Sequence, residues 1–127
     1  MLKTDEGTAS VKAKGVTQVC VTVTPGACGF TCTISAKKID RRKAAVTISG
    51  SQCRQIQKLA GCVTALTLRE LFAPLPRNPV YAGAEQAGCH PSCPVPSAVL
   101  KAVEVAMEMA VPRDVHFQIT CSQEDSG

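Results

Sequence analysis

The sequence predicts an α+β fold: a single small domain in which an antiparallel β-meander is followed by helices packed on one sheet face and by a final strand. Three observations carry this. Alternating apolar residues fill three short runs between Val16 and Ser49, separated by turn signals. At Ser49-Gly50-Ser51 the apolar period changes from 2 to 3.6. Near the C-terminus, Val115, Phe117, Ile119 and Cys121 return to strict alternation. The chain has 127 residues, of which 45% are apolar and 19% charged, enough for one ordered core. Aromatic residues make up only 3%, so that core must be built from Val, Ile, Leu and Ala.

Residues 1–15 show no period and read as a disordered leader; residues 16–121 form the domain, and 122–127 a polar tail. Strand one is expected at Val16 to Thr24, with Val19, Val21 and Val23 toward the core and Cys20 away from it. Pro25-Gly26 marks a turn, because proline presets its dihedral and glycine accepts positive φ. Strand two follows at about Phe30 to Lys38, with Phe30, Cys32, Ile34 and Ala36 on one face. The run Lys37 to Lys43 forms the hairpin tip, and Ala44 to Ser49 is strand three.

Ser51 is the expected N-cap of a helix carrying Ile56, Leu59, Ala60 and Val63. Thr67 to Phe72 reads as a short second helix, stopped by Pro74 and Pro76. From Pro74 to His90 the chain is rich in Pro and Gly, with one helical turn near Tyr81 to Ala87. The longest helical pattern is Ser97 to Ala110, opened by Pro94 or Pro96. Its apolar face holds Val95, Val99, Ala102, Val103, Ala106 and Met109 or Ala110, and Val111-Pro112 stops it.

The net charge of +4 is concentrated in Lys37-Lys38-Ile39-Asp40-Arg41-Arg42-Lys43. Without stacking aromatics beside it, this run reads as a solvated hairpin tip rather than a nucleic-acid site. Residues 1–15 lack a signal-peptide pattern, and no apolar run reaches the roughly 20 residues that cross a bilayer. The expectation is a cytoplasmic protein with no membrane or nucleic-acid partner. In that compartment eight cysteines read as reduced thiols or metal ligands, not as a disulfide framework.

The cysteines divide by context. Cys89 and Cys93 stand four apart in Cys89-His90-Pro91-Ser92-Cys93-Pro94, a separation that lets two thiolates reach one centre. Cys53 and Cys93 fall at predicted helix N-termini, where free N–H groups lower a thiol pKa. Cys28 lies on a loop between Gly26 and Gly29, whose amides suit hydrogen bonding to cluster sulfides. Cys28, Cys53, Cys89 and Cys93 are therefore the candidate ligands of an iron–sulfur cluster, in the [4Fe–4S] form among others, or of zinc. Cys32 is the reserve ligand. His90 is able to replace one sulfur as a ligand, but adjacent residues rarely both bind one ion, so it reads as a neighbour that supports the ligands or faces solvent. Cys20, Cys62 and Cys121 read as structural. Paired carboxylates, phosphate loops and dinucleotide fingerprints are lacking, so a binding or redox role is expected ahead of catalysis.

Two resemblances bear on this reading. From about Val19 to Ile119 the chain resembles a small uncharacterised family largely of anaerobic bacteria and archaea. The resemblance rests on Pro25-Gly26-Ala27-Cys28-Gly29-Phe30, Ser51-Gln52-Cys53, Gln57-Lys58-Leu59-Ala60, Cys93-Pro94-Val95-Pro96-Ser97 and Pro112-Arg113-Asp114-Val115, with Cys89 also in the pattern. It implies the same four cysteines and no activity. Cys93-Pro94-Val95-Pro96 also resembles the Cys-Pro-x-Pro helix start of sulfur-relay carriers. That resemblance implies a sulfur carrier or thiol redox protein acting through Cys93, with Cys89 as a resolving thiol. Either function implies a protein partner for electron or sulfur transfer.

Overall fold

The structure, a computed structural model, describes Gln18–Gln123. The predicted leader and most of the polar tail lie outside the described residues. Four strands, β1 (Gln18–Val23), β2 (Cys32–Asp40), β3 (Lys43–Ser49) and β4 (Ala65–Thr67), form one antiparallel sheet in sequence order. Register aligns the apolar residues: Val21 faces Ile34 and Ile34 faces Ile48, while Val19 faces Ala36 and Ala36 faces Val46. Such rows across a sheet are what one buried face requires. The other face carries Cys20, Thr22, Ser35 and Thr47, exposed or half-buried.

The basic tip is tighter than expected. β2 and β3 run on to the pair Asp40 and Lys43, and the Asp40 carboxylate accepts a hydrogen bond from the Arg42 N–H at 2.8 Å. Strand two starts later than expected, so Phe30 lies before it and is 40% exposed. β4 was not expected, because three residues are too few to show a period. It pairs with β3 through Ala44 and Leu66, and both are buried.

Helix α1 (Arg54–Cys62) is capped by Cys53 rather than Ser51, whose hydroxyl instead accepts from the Cys53 N–H at 3.0 Å. Helix α2 (Leu68–Leu71) opens with a capping box: Thr67 Oγ1 accepts from the Glu70 N–H and Glu70 Oε1 from the Thr67 N–H. The expected loop from Pro74 to His90 contains a full helix, α3 (Pro79–Ala87). Asn78 caps it, Pro79 fills its first position and Gly88 closes it in the left-handed region, the pairing of proline start and glycine stop.

Helix α4 (Val95–Ala106) lies across β1 and β2 and buries Val95, Pro96, Val99, Ala102, Val103 and Ala106. Its start matches the double-proline signal, but its end comes four residues before Ala110. There the N–H of Met109 bonds to the Glu104 carbonyl and Glu108 takes φ 65, so the chain turns away before Pro112. Met109 and Ala110 are exposed, not core. Ile34, Leu59, Leu66, Val80, Val95, Val99 and Val103 fill the space between sheet and helices, each contributing roughly 1.5–3 kcal/mol of burial.

Among the described residues the predicted final strand is absent. Residues 111–123 belong to no helix or sheet, and Phe117 and Ile119 are 75% and 89% exposed. Cys121, expected on an inward strand face, is exposed with them. Alternation marks a segment able to pair; it does not supply the neighbour.

Candidate metal centre

One end of the sheet collects the cysteines, and the strand register explains why. Val23, the last residue of β1, pairs with Cys32, the first of β2, and the next residue, Thr33, pairs with Ser49 at the end of β3. The β1–β2 loop, the chain leaving β3 toward α1 and the N-terminal end of α4 all meet there. Cys28 sits in the loop, inside a turn closed by Gly29 N–H on the Gly26 carbonyl at 2.9 Å, with both glycines at positive φ. Cys28 is exposed and Cys32, four residues on, is buried. Gly50, at φ 81, redirects the chain so that Cys53 opens α1.

Cys89 and Cys93 are placed by caps. The left-handed Gly88 ends α3, and the Cys89 N–H bonds back to the Ala84 carbonyl at 2.9 Å. His90 to Cys93 form a turn in which the His90 carbonyl accepts the Cys93 N–H at 3.0 Å. The His90 side chain is exposed, and its part in the corner is this backbone bond.

The thiols act on one another. Burial raises the Cys32 pKa, and the charges of Cys93, Cys53 and Cys28 raise it further. Burial pushes Cys89 up to about 11, aided by Cys93, Cys53 and Cys62. For Cys93 burial also raises the pKa and outweighs the lowering by a hydrogen bond from the Val95 N–H; Cys28 and Cys53 add to the rise. The helix N-terminus was expected to lower the Cys93 pKa. Its amide does pull that way, but removal from water wins. Cys32 and Cys93 thus each feel Cys28 and Cys53, and Cys89 feels Cys93, Cys53 and Cys62.

Their present partners are weak. Cys53 Sγ donates to Gln55 Oε1 at 3.2 Å, and Cys89 Sγ lies 4.0 Å from the Gln55 carbonyl. Gln55 thus touches two candidate ligands. Sequence reasoning passed over it, although its place two residues after Cys53 in the first helical turn was a signal. A recess of about 200 Å³, lined by Gly29, Phe30, Thr31, Gly50 and Gln52, opens between the segments that carry Cys28 and Cys53. Cys20 stands apart on the outer sheet face, 3.8 Å from Ser35 Oγ, and Cys62 is exposed at the end of α1.

Among the described residues no three His, Cys, Asp or Glu side chains stand ready at metal-binding spacing. The donor set nevertheless has the right chemistry for a thiophilic cation, which converts neighbouring thiols to thiolates and compensates their repulsion.

A four-stranded sheet under one layer of helices, with five cysteines gathered at one sheet end, defines a small cysteine-rich α+β protein. The chain belongs to a family of unknown function, DUF6951, whose model matches residues 19–119. That span holds all five gathered cysteines and most of the exposed C-terminal segment. No curated protein and no solved structure matches the chain. No described helix is long and apolar enough to cross a membrane.

Proposed function

We propose that this protein binds a metal centre, an iron–sulfur cluster or zinc, through Cys28, Cys53, Cys89 and Cys93, and serves in electron transfer or redox sensing with a protein partner in the cytoplasm. One observation carries the reading: thiols from three separate chain segments are drawn to one end of the sheet, although their mutual charge opposes ionisation. Cys32 is the reserve ligand from β2. Four thiolates fit a tetrahedral zinc site or a cubane cluster equally well.

The alternative, a sulfur carrier working through Cys93, needs an easily formed thiolate. Burial of Cys93 works against that. Anaerobic purification, followed by metal and acid-labile sulfide analysis and a visible spectrum, separates the two. Roughly stoichiometric metal that is lost in Cys53→Ser and Cys89→Ser supports the centre, with broad visible absorption marking a cluster. A metal-free protein that carries a persulfide on Cys93 would transfer the assignment to the carrier.

A further inference from the structure

Of the large apolar side chains left exposed, Met109, Val111, Val115, Phe117 and Ile119 crowd into one short segment. Within it Val115, Phe117, Ile119 and Cys121 alternate with His116, Gln118 and Thr120, so an extended backbone sets the apolar groups on one side. Soluble chains rarely leave such a stripe in water, and its backbone has no ladder partner among the described residues.

The sheet has a matching vacancy at its rim. β1 is an outer strand that pairs with β2 on one side, and no described residue pairs with its other edge. Val19 and Val21 on its core-facing side remain half-buried although α4 packs over them. β1 has six residues, close to the length of the 115–121 stripe, whereas the opposite rim strand, β4, has three.

We infer that residues 115–121 of one molecule add as a fifth strand to the β1 edge of a second copy of this chain, reciprocally, to make a two-fold dimer. A second copy is favoured over another protein because one chain carries both the donor strand and the acceptor edge. Reciprocal exchange then satisfies both molecules and leaves neither stripe exposed. The family match spans both segments, 19–23 and 115–119. Phe117 alone removes roughly 150–250 Å² from water, and each dimer contains two such side chains. Neither segment carries a ligand of the proposed metal centre.

The test is light scattering of the full chain over a wide concentration range, with reductant present so that Cys20 and Cys121 cannot cross-link. Hydrogen exchange is measured on the same samples. The wild type should be a dimer with protected amides in 18–23 and 115–121. The double variant Phe117→Asp, Ile119→Asp should dissociate at least about a hundredfold more readily, lose protection in both segments and keep its far-ultraviolet spectrum. A wild type that is monomeric throughout overturns the inference, whether the 115–121 amides are protected (pairing within one molecule) or open. So does a dimer that the double variant leaves intact.

Discussion

Asn78 and the cysteine corner are two places where polar side chains enter the interior, and they are treated in opposite ways. Asn78 is 2% exposed and saturated. Its amide nitrogen lies 3.2 to 3.4 Å from the carbonyls of Glu70, Leu71 and Ala73, and its oxygen accepts the Val80 N–H at 3.0 Å. One side chain thereby ties off the end of α2 and starts α3. Cys32 is buried and Cys89 and Cys93 are half-buried, with Cys93 in electrostatic range of the other two and without a bond network like that of Asn78. A polar group whose bonds are all made within the chain is architecture. Polar groups gathered without such bonds mark a candidate site.

The sharpest way to break this contrast is Asn78→Leu. It strips the Leu71 and Ala73 carbonyls and the Val80 N–H of these bonds, while the Glu70 carbonyl keeps its bond from the Ala73 N–H, and is expected to cost about 3 kcal/mol by denaturant unfolding. A loss under about 1 kcal/mol would show that these bonds are not what holds the α2–α3 junction. The matching experiment at the other corner adds zinc or ferrous iron to reduced, metal-free protein. At about 100 times the dissociation constant, stability should rise by about 2.7 kcal/mol, and Cys53→Ser or Cys89→Ser should abolish the rise. An equal rise in those variants would remove both residues from the centre.

A smaller effect concerns pH in the metal-free protein. Cys89 is raised from 9.0 to about 11, so the folded state holds that proton more tightly than the unfolded chain does. The associated stability is complete below about pH 9 and is lost as pH rises through about 11. The expected loss is roughly 1 kcal/mol once solvent screening is allowed for, with Cys32 and Cys93 adding in the same direction. Metal-loaded protein should not show it, because its thiols have already lost their protons. The smallest effects belong to Cys20→Ser and Cys62→Ser. Both positions are exposed, and each substitution should stay within about 0.5 kcal/mol of wild type with unchanged metal uptake.

How far the sequence could be read depended on whether a signal was local. The capping box at Thr67 and the prolines opening α4 each announce an element from adjacent residues. Asn78-Pro79 and Gly88 announce α3 equally well, but the surrounding prolines and glycines read as a loop, so only one turn of it was expected. β4 had no local signal: Ala65–Thr67 is a strand because Ala44 and Ala45 lie beside it. The four candidate cysteines stood out by spacing and helix position. That Cys32 joins them electrostatically, and that Gln55 touches two of them, depends on the strand register.

The sequence by itself determined the three-strand meander, the helix that follows it and the buried face of α4, because periodicity ties each side chain to one side of its own element. Tertiary structure alone decided three things: that the cysteine-bearing loops share one end of the sheet, that burial outweighs a helix amide at Cys93, and that the alternating residues 115–121 gain no strand partner among the described residues. Each depends on which distant segments become neighbours, and no local pattern records that.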